Sequence, residues 1–138
     1  MTSIIGETFT EIVETIRTEY EKEKKLSEGT LSMLSFLFDF TAVQALDLVD
    51  HRCVMLVNSP SGRELYKIQK NATEFHICLK NSNYCTCPSF SFHVLKKDQL
   101  MCKHKLAAVL STAMGLCKEV QYADETVTLM LAGENNSL

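Results

Sequence analysis

The chain has 138 residues, 46% hydrophobic and 22% charged, a balance that suits one compact soluble domain or a small domain with helical extensions. Its longest apolar run, Leu31 to Phe40, is broken by Ser32, Ser35 and Asp39 and falls well short of the roughly 18 residues a membrane span needs, so no membrane contact is expected. The N-terminus has no basic stretch leading into an apolar core, so no secretory signal is expected, and the six cysteines read as thiols of a reducing compartment, where clustering favours metal over disulfides.

The formal net charge of -3 conceals a segregation. Residues 1–50 carry 4 Lys/Arg against 10 Asp/Glu, residues 51–117 carry 9 against 3, and residues 118–138 carry 1 against 4. A basic middle between acidic flanks can meet phosphate, or it can balance those flanks internally.

Along the chain, Glu7 to Lys25 reads as a first helix. Phe9, Ile12, Val13, Ile16 and Tyr20 recur at three- and four-residue steps and make one apolar stripe. Glu7, Glu11 and Glu14 crowd its start and Lys22, Lys24 and Lys25 its end, as the helix dipole favours. Ser27 is a candidate N-cap for a second helix through Leu31, Leu34, Phe36, Leu37, Phe38 and Phe40, which is apolar on more than one face and therefore needs deep burial or a partner. Thr41 is expected to cap a third helix, Ala42 to Asp50, with Ala42, Ala45, Leu46 and Val49 inward.

After Asp50 the period changes. Cys53 to Val57, Glu64 to Gln69 and Thr73 to Leu79 read as three short strands. Ser59-Pro60-Ser61-Gly62 fits a type I turn between the first two, and Lys70-Asn71 turns the chain again. The expected product is an antiparallel meander whose last turn, Lys80 to Asn83, delivers Tyr84 and Cys85. Pro88 to Leu95 is expected to form a short helix or turn with Phe90 and Val94 inward, ending at Lys96-Lys97-Asp98. A helix then runs from His104 to about Met114, with Leu106, Val109, Leu110 and Ala113 inward and Gly115 ending it. Asp124 is expected to cap a last short helix bearing Val127, Met130 and Leu131, followed by a frayed tail from Gly133. The fold class is α+β: N-terminal helices, a small antiparallel meander, a metal site, a following helix and a short C-terminal helix. The expected divisions are residues 1–50, 51–117 and 118–138.

The strongest chemical signal is Cys85-Thr86-Cys87, a 14-residue spacer, then Cys102-Lys103-His104. Three thiolates and an imidazole suit zinc, and four protein donors close its tetrahedral shell, which makes the site structural rather than catalytic. In an extended segment i and i+2 share a side, so Cys85 and Cys87 can grip one ion from a strand end. His93 is a rival fourth ligand, but an aromatic, half-buried histidine is its blander reading. Cys53, Cys78 and Cys117 read as small buried hydrophobes, and His51 and His76 as surface or boundary residues. A small sheet of this kind is marginal alone, so the ion would supply much of its folding free energy.

The C-x-C, spacer, C-x-H pattern after a meander resembles the SWIM-type zinc finger. The similarity extends to Gln44 to Asp50, Ser59 to Arg63, Tyr84 to Phe92 and Cys102 to His104, which resemble the SWIM-domain subunits of Shu-type homologous-recombination complexes, the zinc finger SWIM domain-containing protein 7 family. That resemblance, over about Leu31 to Cys117, implies a nuclear protein with ligands Cys85, Cys87, Cys102 and His104. It implies heterodimeric pairing with a SWIM-associated recombinase paralog of the RecA-like ATPase class. It also implies support of recombinase filaments on single-stranded DNA, reached through the complex, in repair and meiosis.

Three functions compete at this stage. A non-enzymatic, zinc-stapled adaptor fits the closed ligand set and the excess of apolar helical surface. A direct nucleic-acid module would use Lys96, Lys97, Lys103 and Lys105, with Arg52, Arg63 and Lys67 in the same basic segment and Phe90 and Phe92 as candidate stacking rings. An enzyme is disfavoured, because metal-ligated thiolates are already committed and no G-x-x-x-x-G-K-[ST] loop is present, so ATP hydrolysis would belong to the partner.

Overall fold

A computed structural model describes residues 3–82, 84–87 and 101–132 of the chain. The expectations for Pro88 to Asp98, including His93, Phe90, Phe92, Lys96 and Lys97, lie outside the described residues, as do Asn83 and the tail from Gly133. The elements are α1 (Ser3–Glu23), α2 (Glu28–Phe38), α3 (Phe40–Asp50), β1 (Val54–Asn58), β2 (Glu64–Gln69), β3 (Phe75–Leu79), α4 (Lys103–Ala113), β4 (Lys118–Gln121) and α5 (Asp124–Leu131).

The first helix starts earlier than expected, so no acidic residue falls in its first turn, and Lys24 and Lys25 lie beyond its end. Ile12 and Ile16 are buried, with Phe9 and Val13 packed beside them. The α1–α2 corner is tied by one carboxylate. Glu19 accepts from the Ser27 backbone N–H at 3.1 Å and from the Thr30 hydroxyl at 2.9 Å. Ser27 caps α2 as expected, its hydroxyl accepting from the Thr30 N–H at 3.2 Å.

The break between α2 and α3 falls at Asp39, not at a Thr41 cap. Asp39 sits at φ 51°, ψ -132°, a region that costs a non-glycine residue strain, and its side chain makes no capping bond to α3. At the far end of α3, Arg52 turns its guanidinium back onto the Val49 carbonyl at 3.0 Å, satisfying one of the helix's last acceptors.

The three-strand meander forms with Val54 opposite Ile68 and Leu65 opposite Leu79. The sheet has a fourth member that sequence reading missed. β4 runs parallel to β1, giving the order β3-β2-β1-β4. Strand alternation sorts the side chains onto two faces. Val57, Leu65, Phe75 and Ile77 meet Val127 and Met130 of α5 on one face. Val54, Tyr66, Ile68 and Cys78 meet the helices α1 to α4 on the other. Burying Val127 and Met130 completely contributes about 1.5–3 kcal/mol each, which holds α5 on the sheet. Ala123, not Asp124, occupies the N-cap position of α5 and makes no side-chain capping bond. The Asp124 carboxylate instead accepts from the Ser61 hydroxyl at 2.6 Å, tying α5 to the β1–β2 turn. Leu131 points outward rather than joining Val127 and Met130.

Candidate metal centre

Strand β3 extends its pairing beyond its own turn. The Leu79 N–H bonds the Tyr84 carbonyl at 3.2 Å and the Thr86 N–H bonds the Ile77 carbonyl at 3.0 Å, so Cys78 and Cys85 stand directly opposite each other. In this short extended segment Cys85 and Cys87 are buried and Thr86 between them is exposed, the alternation expected of i and i+2. The other pair begins α4. Cys102 is extended at φ -78°, ψ 169° and is the N-cap, its Sγ accepting from the Lys105 N–H at 3.4 Å. His104 follows in the first turn.

The fold thus brings a strand end against a helix start. The donor atoms of Cys85, Cys87, Cys102 and His104 all lie within 4.8 Å of one another, and all four residues are buried. Around a tetrahedral zinc, with ordinary Zn–S and Zn–N bonds, neighbouring donors sit about 3.6 Å apart. The Cys85 Sγ to His104 Nδ1 separation is 3.8 Å. Number, type and spacing of donors therefore fit zinc, which in such a closed shell supplies a covalent staple and no open coordination position. Hydrogen bonds from Cys78, Cys85 and Cys87 hold the Cys102 thiol well below its ordinary range. Its hydrogen bond to Cys102 leads the causes that push the Cys85 thiol up, because only one of the clustered sulfurs readily carries charge without an ion.

Three residues outside the expected ligand set surround the ligands. The His76 ring lies 4.2 Å from the His104 ring at a tilt of 35°, and burial lowers its pKa. His76 is half-buried, a boundary residue as expected, and its ring packs against that of His104. Cys78 is fully buried beside Cys85 and Cys102. Lys105 is 5% exposed, with its Nζ bonding the Leu79 carbonyl at 2.7 Å and the Lys80 carbonyl at 3.0 Å. Strand alternation carried a signal for two of them. With Ile77 facing one side, His76 and Cys78 had to face the other, where Cys85 arrives.

Lys105 was expected among the phosphate-contacting cations and is instead a pillar under the β3 turn. Lys67 is buried as well, its Nζ bonding the Tyr122 hydroxyl at 3.2 Å and lying 4.7 Å from the Phe75 ring centre. Arg63 donates to the Asp124 carbonyl at 2.6 Å and Arg52 caps α3, so these charges serve internal acceptors. His51 is exposed, its Nδ1 lying 2.9 Å from the Asp47 carbonyl, away from the ligand cluster. A cleft of about 280 Å³ opens beside His104, bounded by Asp47 and Glu74 as well as Lys70 and Lys103. Lys70 is paired with Asp47 at 3.3 Å, so the cleft is mixed in sign.

Comparison with known proteins agrees with this geometry. The SWIM zinc finger family model matches residues 66–113, which take in the latter part of β2, β3, both ligand pairs and α4. Zinc finger SWIM domain-containing protein 7 of Danio rerio is 40% identical over 123 residues, 88% of each chain. The Homo sapiens protein of the same name is 37% identical, over 90% of this chain and 89% of its own length. A Dictyostelium discoideum homolog is 34% identical over 77% of this chain and 69% of its own. No solved structure matches the chain. Identity at this level across almost the whole length, with the ligand pairs inside the matched finger, places the chain in the zinc finger SWIM domain-containing protein 7 family.

Proposed function

We propose that this chain is a non-enzymatic, zinc-stabilised adaptor. It pairs in the nucleus with a RecA-like recombinase paralog. Through that partner it supports assembly or stability of recombinase filaments on single-stranded DNA in homologous-recombination repair and meiosis. The observation that supports the pairing most directly is the α2–α3 junction. Phe36 is 79% exposed, Phe40 67%, Val43 54% and Met33 42%, a set of large apolar side chains that a lone chain leaves in water. The strained Asp39 lies between the two phenylalanines, and strain of this kind collects at working surfaces.

The charge around this patch indicates what covers it. Residues 26–50 contain Glu28, Asp39, Asp47 and Asp50 and no lysine or arginine. A second copy would bring like charges together, whereas an apolar socket rimmed by basic side chains on another protein would be complementary. Direct binding of nucleic acid has less support, because Lys105, Lys67, Arg63 and Arg52 are engaged internally. DNA contact is therefore assigned to the complex. A shell closed by four protein donors supports scaffolding rather than hydrolysis.

The test is co-purification with the candidate paralog. A Phe36→Ser/Phe40→Ser variant is expected to keep its zinc and its melting temperature, since exposed sites move stability by no more than about 0.5 kcal/mol. It is expected to lose at least about 30-fold in affinity, as a central aromatic anchor of about 2 kcal/mol implies. Undiminished pairing by the double variant would overturn the docking assignment.

A further inference from the structure

The centre holds one more sulfur than its ion uses. We propose that Cys78 is the resolving thiol of the metal centre: oxidation of Cys85 by a peroxide ends in a Cys78–Cys85 cross-strand disulfide, which removes a ligand and frees the metal.

The inference stands on strand geometry. The bonds Leu79 N–H to Tyr84 O and Thr86 N–H to Ile77 O flank the Cys78–Cys85 pair on both sides. That pattern makes it a non-hydrogen-bonded antiparallel pair, whose Cα atoms approach to about 4.5 Å with side chains on one face. A disulfide needs Cα atoms about 4.4–6.8 Å apart. Cys85 and Cys87, two residues apart in one extended segment, span about 6.6 Å, at the far edge of that range. Cys78 is 0% exposed and Cys85 2%, and the two thiols hydrogen-bond each other as well as the Cys102 sulfur, so the pair is in contact beneath the surface. Thr86 and Tyr84 are exposed on either side, which places the pair just under the surface.

The chemistry balances with peroxide as the oxidant. Cys85 Sγ attacks one peroxide oxygen, the O–O bond breaks, and a sulfenic acid and water result once the leaving oxygen takes up a proton. Cys78 Sγ then attacks the Cys85 sulfur and the S–O bond breaks. The oxygen leaves as a second water after taking up the Cys78 proton. Two thiols lose two electrons and one peroxide gains them. Burial makes the first step slow. The second step is fast because the partner sulfur is already adjacent, and a disulfide formed promptly protects Cys85 from irreversible sulfinic acid. Three donors remain where four were needed, so retention of the ion falls.

The proposal rests on the metal centre, and one experiment separates the two. Zinc is counted in the full-length chain before any treatment; absence of zinc strikes the centre itself. The loaded chain is then titrated with hydrogen peroxide while released zinc is read with a chromophoric chelator, and thiols are alkylated and mapped by mass spectrometry. The expected result is zinc release in step with a Cys78–Cys85 disulfide, and recovery of zinc binding after reductant and zinc are returned. A released chain whose Cys78 is still alkylated as a free thiol overturns the proposal. Cys78→Ser is expected to load zinc as before but to lose most of the recoverable fraction, Cys85 being found as sulfinic acid; unchanged recovery counts against the proposal. The wild-type map is decisive even if the variant folds poorly.

Discussion

Replacing Lys105 by methionine separates the adaptor from a direct nucleic-acid module. The substitution keeps the aliphatic stem in place and deletes the ammonium that bonds the Leu79 and Lys80 carbonyls at 2.7 and 3.0 Å. Hydrogen bonds from a charged donor contribute about 1.5–3 kcal/mol each when one partner is removed. Part of that is offset, because burial already disfavours the charged lysine and lowers its pKa. A net loss of about 2–3 kcal/mol follows. With unfolding entropy near 2.1 cal/mol/K per residue, a chain of this length melts about 7–10 °C lower. Differential scanning fluorimetry of the zinc-loaded protein reads this directly, with Lys103→Met as the neighbouring control, expected to shift by under about 2 °C. If Lys105→Met melts with the wild type while weakening salt-sensitive DNA binding, Lys105 serves phosphate and the reasoning from its burial is refuted.

Other perturbations have equally definite outcomes. Cys102 is both ligand and N-cap, so Cys102→Ser and Cys102→Ala are expected to lose zinc alike. The serine variant should retain about 1 kcal/mol more residual helix stability, seen by circular dichroism after chelation. Glu19→Gln tests the α1–α2 tie. The Ser27 N–H holds the Glu19 carboxyl below its ordinary value of 4.5, so its contribution is complete above that value and disappears as pH falls through the depressed folded pKa. The variant should therefore be less stable at neutral pH in urea titrations, and the two curves should converge in strong acid. Asp39→Gly relieves a backbone at φ 51° and is expected to raise stability by about 1 kcal/mol, shifting the urea midpoint upward; a lower midpoint would mean that the turn is not strained.

Sequence alone located some features and not others, for physical reasons. Cys85, Cys87, Cys102 and His104 stand out because donor type and close spacing are local properties. The meander is similarly legible, since period-two alternation and the Ser59–Gly62 turn are written in neighbouring residues. β4 is not, because Lys118–Gln121 is an edge strand with only Val120 partly buried, and its place depends on backbone pairing with β1. The α2–α3 break escaped for the opposite reason. Thr41 has the chemistry of a cap, yet the chain turns one residue after Phe38 by placing Asp39 at positive φ. Lys67 and Lys105 look like surface cations in any sequence and become buried donors only once Tyr122 and the β3 turn are in position. The charge segregation was visible in the counts; among the described residues Lys70 pairs with Asp47 and Arg63 with Asp124, which ties the basic middle to each acidic flank.

The order of the sheet has a consequence for how the molecule comes apart. β3 and β4 are its two outer strands, and α4 is tethered to both: through the ligand pairs at its first turn, and by the short Met114 to Cys117 link at its last. Cutting the chain after Cys117 should therefore loosen the same helix that chelation loosens, from the opposite end. Either injury alone leaves the helix leashed to one margin of the sheet, and both together set it adrift.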